Sequence, residues 1–146
     1  NVNLDMPLFL YPLADMIAFG AEHSSLGPVV EEAIAEEGFA LLPDPMPQET
    51  IFIRSDQYSF VRQGVPAVFL VSGYTSSDPA IDGQALWQGF LQKHYHQPDD
   101  DLNQPVDWPS AERFTRPNVR IGYSIAQEPA RPTWNEGDFF GEKFAR

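Results

Sequence analysis

The spacing of apolar side chains changes several times along this chain, and each change marks an element. Residues 2–6, VNLDM, alternate apolar and polar in the manner of a strand, and Pro7 stops them. Residues 8–12 read as loop and 16–19, MIAF, as a second short strand. Ser24 and Ser25 sit where a helix cap belongs, and Pro28 falls in the first turn. Val29, Val30, Ala33 and Ile34 recur at helical spacing, with Glu31, Glu32, Glu36 and Glu37 as the wet face and Gly38 as the stop. Residues 39–42 predict a strand, and 43–47 a rigid loop with three prolines in five residues. Residues 51–54 are expected to be extended. A capped helix closed by glycine is predicted over 55–64. Residues 65–71, VPAVFLV, are apolar at nearly every position, the mark of a strand buried on both faces.

The second half is less periodic. Residues 74–82 form a polar loop, and 85–93 are either a short helix or an ordered loop. Asp107 opens the last helix, Pro109 lies in its first turn, and Phe114, Val119, Ile121, Tyr123 and Ile125 supply its apolar surface. Pro117 is expected to kink or split it. Residues 129–146 mix prolines and glycines with Trp134, Phe139, Phe140 and Phe144, and predict irregular chain packed on the body. There is no internal repeat. A short helix leading into a fully apolar strand is an α/β signature, so the expected class is α/β, with strands at 2–6, 16–19, 39–42 and 65–71 and helices packed on them.

Composition narrows the function. The 146 residues are enough for one buried core. A formal charge of −12, from 21 acidic and 9 basic residues, argues against nucleic acid, which needs a basic footprint, and against anionic membrane surfaces. No run of about 18 apolar residues exists to span a membrane. Without cysteine there is no disulfide, thiolate metal site or thiol nucleophile. The pattern at 1–6 reads as a strand already under way, so the N-terminal part of a larger protein is expected to precede it.

Two of the three histidines fall in KHYHQPDDD, residues 93–101, against three consecutive aspartates. Imidazole is the commonest metal-binding side chain at neutral pH, and a metal-bound histidine usually gives its other N–H to a carboxylate or carbonyl. Asp100, four residues past His96, could do this, but the spacing is not specific, and a loop histidine among acidic neighbours is the commoner case. Asp5 lies where an apolar strand ends, the place where ligand groups gather in open α/β sheets; an Asx-turn is the alternative. Glu22, His23, Glu31 and Glu32 complete the candidates, the last two better explained as a solvated helix face. There is no nucleophile elbow, Walker loop or dinucleotide fingerprint.

Three motifs occur in order: Asn3-Leu4-Asp5-Met6, the SDQYSF and GVPAVFL pair within 55–70, and Tyr95-His96 followed by Asp100. Together they resemble the C-terminal half of the family-28 zinc metallopeptidases, which include bacterial aminopeptidases, glutamate carboxypeptidases and glutaminyl cyclases. The ending WNEGDFFG, residues 134–141, is similar to a subgroup of bacterial aminopeptidase-like proteins.

The resemblance implies an α/β fold with a mostly parallel central sheet flanked by helices, here an incomplete half, and a co-catalytic pair of zinc ions. It implies that Asp5 binds one zinc and His96 the other, that Tyr95 lines the substrate site, that Asp100 backs the histidine and that Asp56 supports the site. The general base and the other ligands belong to the missing N-terminal half. Gln57 departs from the pattern, since many relatives carry histidine there and glutamine cannot titrate. The function implied is a zinc-dependent, aminopeptidase-type exopeptidase acting on peptides, with this chain alone inactive. A non-catalytic peptide- or partner-binding module and a glutaminyl cyclase-like transferase are the alternatives. The resemblance also points to a periplasmic or secreted protein. An unpaired edge at residues 2–4 invites the missing half or an oligomer.

Overall fold

The computed structural model describes residues 1–145. Its centre is a four-stranded sheet of β1 (Val2–Leu4), β2 (Asp15–Phe19), β3 (Ala40–Leu42) and β4 (Val68–Ser72), in the order β1-β4-β2-β3. β1 pairs parallel with β4 and β2 parallel with β3, while β2 and β4 are antiparallel. The class is the expected α/β, in a mostly parallel mixed sheet. β1 and β3 are the edges.

Strand periodicity divides the core in two. Met16, Ala18, Val68 and Leu70 point to one face and Ile17, Phe19, Phe69 and Val71 to the other. α1 (Leu26–Glu36) and α4 (Trp108–Gln127) cover the first face, burying Val30, Ile34, Phe114 and Ile121 completely or nearly so. Arg113 pins the two helices. Its guanidinium donates to the carbonyls of Glu37 and Leu13 at 3.1 and 3.3 Å and lies 4.2 Å from the Phe39 ring centroid.

Three expectations are corrected. α4 runs unbroken through Pro117. An interior proline costs a helix about 3 kcal/mol, but burying Phe114 and Ile121 contributes roughly 1.5–3 kcal/mol each, so packing overrides it. Residues 51–54 are not extended. Thr50, at φ 49°, reverses the chain into one tight helical turn, Ile51–Ile53. The tail is not irregular throughout. The Asp138 carboxylate accepts from the Phe140 and Gly141 amides and starts a short helix, α5 (Phe139–Phe144); position 146 lies outside the described residues. Residues 85–93 resolve as the helical alternative, within α3 (Gly83–Lys93), where Asp82 accepts from the Ala85 amide. α2 (Gln57–Val61) is the helix foreseen after Ser55, though its cap makes no side-chain hydrogen bond.

The second face is closed by the 51–53 turn, α2 and the tail. The tail is fastened at both ends. Ser25 and Thr133 exchange hydrogen bonds of 2.9 and 3.0 Å, the Trp134 indole donates to the Gly64 carbonyl at 3.0 Å, and His23 meets Asp138 at 2.6 Å. No described helix is long and apolar enough to cross a membrane.

Candidate active site

β1 ends at Leu4, so Asp5 projects from the carboxyl end of an edge strand. The neighbouring carboxyl end is that of β4, from which Tyr74 follows. A cavity of about 270 Å³ opens between them. Asp5, Ser55 and Arg54 stand on one wall, Tyr74, Trp87 and Tyr95 on another. Phe19, Phe69 and Val71 come from the second face of the sheet. Tyr74 and Trp87 meet edge to face at 4.8 Å, a favoured aromatic geometry. Burial, and then the Asp44 carboxylate, push the Tyr74 phenol up to about 12.

The Ser55 hydroxyl donates to Asp5 Oδ2 at 2.6 Å, and among the described residues nothing is hydrogen-bonded to Oδ1. No ion pair reaches Asp5 among those residues. Arg54, the nearest cation on the wall, is bonded instead to the Glu49 carboxylate at 3.2 Å. Asp5 therefore presents a fixed carboxylate with one open oxygen.

Tyr95 lines the same cavity, just beyond the end of α3. His96 follows with its ring stacked on Tyr95, centroids 3.7 Å apart, and with φ 60°. Positive φ is uncommon outside glycine and costs of order 1–3 kcal/mol. Among the described residues, the non-glycine residues that adopt it are Met6, Thr50 and His96. Each lies in a segment that borders the cavity: Met6 follows Asp5, Thr50 precedes the wall turn, and His96 follows Tyr95. Such strain concentrates at functional sites.

The other foreseen residues are placed differently. Asp100 is exposed, and among the described residues it makes no hydrogen bond with His96; its amide donates to the Gln97 carbonyl at 3.1 Å. The histidine–carboxylate pair formed in this loop is His94–Asp99, at 2.9 Å. Asp56 is the exposed N-cap position of α2 and does not line the cavity. Tyr74 and Trp87 were not singled out from sequence, and Asn3 and Ser55 were read only as parts of motifs. One signal was available for Asn3: two residues before Asp5, it shares that residue's side of β1.

Among the described residues there is no group of three or more His, Cys, Asp or Glu side chains placed to hold a metal ion. A catalytic zinc needs three protein ligands. The residues of this chain therefore do not by themselves fit a closed zinc centre.

Asp5 and Tyr95 line one cavity beyond the carboxyl ends of β1 and β4, and His96 follows Tyr95; ligands bind at such a place in open α/β sheets. The model of Peptidase family M28 matches residues 1–121, and the chain belongs to that family. Membership implies a metallopeptidase, of a family whose members are typically zinc-dependent. Comparison with curated proteins and with solved structures gave no match.

Proposed function

We propose that this chain forms part of an aminopeptidase-type exopeptidase with a co-catalytic zinc pair, and that it contributes Asp5 to one ion, His96 to the other and Tyr95 to the substrate wall. The observation that supports this most is that Asp5 and Tyr95 share one cavity and that His96 adjoins it in a strained conformation. At about 270 Å³ the cavity lies below the roughly 300–1,000 Å³ of ordinary ligand pockets. The preceding segment that the proposal requires would set its final size. The remaining ligands and the general base come from a preceding segment of the polypeptide, which the free edge of β1 would receive.

The test is peptide hydrolysis by this chain alone and by a polypeptide that also carries the preceding segment. The expected result is activity only in the longer form, lost when the substrate's N-terminus is acetylated. Hydrolysis by the chain alone would overturn the shared site. The lack of a three-ligand group favours a second reading, a non-catalytic peptide-binding module; an inactive, zinc-free longer form would establish it. Cyclisation of a glutaminyl peptide in the same assay would identify a transferase.

A further inference from the structure

Gln57 is a completely buried polar side chain. Its amide is the start of a chain of hydrogen bonds that ends at Asp5. The Gln57 Nε2 donates to the Phe52 carbonyl at 2.7 Å. Its Oε1 accepts from Asn3 Nδ2 at 2.8 Å. Asn3 Nδ2 also donates to Ser55 Oγ at 3.2 Å, and Ser55 donates to Asp5 Oδ2 at 2.6 Å.

The direction of every link is fixed by the first. A backbone carbonyl can only accept, so Gln57 must turn its NH₂ to Phe52 and its oxygen to Asn3. Asn3 must then present its NH₂, one proton to Gln57 and the other to Ser55. With Asn3 as a donor to Ser55 Oγ, the hydroxyl proton is left for the Asp5 carboxylate. A glutamine cannot titrate, so Gln57 keeps its orientation whatever the pH.

The anchor is itself clamped. The Phe52 ring is stacked on His23 at 5.4 Å and meets Phe140 of the tail at 5.2 Å. Gly20, at φ 85°, passes so close that a Cβ there would collide with the ring. The tail lies beyond the part of the chain that the family model matches.

We infer that Gln57 is a positioning residue for Asp5, holding the carboxylate through Asn3 and Ser55 with Phe52 as the fixed end. Asp5 is thereby held with Oδ1 open to the cavity. The consequence for metal binding rests on the reading of Asp5 as a ligand proposed above; the ordering of Asp5 does not.

The experiment is to measure the Asp5 χ1 populations by NMR couplings in the chain and in Ser55→Ala, Asn3→Ala and Gln57→Met. Asn3 lies half-buried near the surface, so Asn3→Ala remains informative where loss of Gln57 unfolds the chain. A single rotamer is expected in the parent and averaging in all three variants, with Asn3→Ala/Ser55→Ala no worse than Ser55→Ala alone, because the links act in series. Ser55→Thr should restore the single rotamer. An ordered Asp5 in Asn3→Ala, with averaging only in Ser55→Ala, would overturn the relay. In the polypeptide with the full ligand set, loss of such an outer partner should weaken zinc binding roughly 10–100-fold. Averaging of Asp5 with unchanged zinc affinity would support the relay and remove Asp5 from the ligand set.

Discussion

The two faces of the sheet are closed in different ways. On the first, two long helices lay periodic apolar stripes over Met16, Ala18, Val68 and Leu70, and Val30, Ile34 and Ile121 have essentially no exposure. On the second, a tight turn, one short helix and a tail cover Ile17, Phe19 and Phe69, and Trp134, Phe140 and Phe144 stay half-buried. The cavity opens on the second face. Regular helices bury area efficiently but leave no backbone free to depart from standard geometry. The turn and short helix bury less; Thr50 before the turn has positive φ, and Ser55 and Gln57 beside it carry polar links that run to Asp5. The more completely buried core lies on one face and the cavity with Asp5 on the other.

That division can be broken by mutation. The largest effect is expected on the helical face: Phe114→Ala should destabilise the fold by about 3–5 kcal/mol, the range for a fully buried phenylalanine, read from urea unfolding. A loss below about 1 kcal/mol would show that the helical face does not dominate. Phe140→Ala should cost less, about 1–2 kcal/mol once the buried value is discounted for its exposure. Its distinguishing sign is faster hydrogen exchange at residues 51–55 with α1 unchanged; uniform loosening would contradict the independence of the faces. Asp138→Ala removes the cap of α5 and the partner of His23 and should cost about 1 kcal/mol. Asp138→Asn, which keeps the cap, should recover much of it.

A separate effect is with pH. Burial raises the phenols of Tyr11 and Tyr74, the second to about 12, from an ordinary value of 10. Between pH 10 and 12 the unfolded chain loses these protons while the folded chain keeps them. Their contribution is therefore complete below pH 10 and is lost as pH rises through that window. A urea midpoint that falls from pH 10 upward, with the last phenolate signal removed by Tyr74→Phe and Tyr11→Phe, is the expected outcome. A midpoint flat to pH 12 would contradict it.

The same division explains what was legible in the sequence. The strands at 16–19 and 39–42 and the helix carrying Val30 and Ile34 are found within a residue or two, because burial on the helical face is periodic. The 51–53 turn was missed because Thr50 at positive φ leaves no compositional trace. α5 was missed because a single aspartate cap at 138 starts it. Pro117 was misjudged because local propensity says nothing of the packing that holds α4 straight. At the site, Asp5 and Tyr95 were legible from motif, and the structure brings them to one cavity. Ser55 read as a helix cap, and only the tertiary contact shows its hydroxyl turned to Asp5.

The most direct measurement is a zinc count for the chain and for a polypeptide that adds the preceding segment, each with Asp5→Asn and His96→Ala. The chain alone should bind no zinc tightly, because its residues close no three-ligand site. The longer form should hold about two ions, and each substitution should remove or weaken one. Tight zinc binding by the chain alone, or a count of two that survives both substitutions, would contradict the assignment of Asp5 and His96 to a shared metal centre.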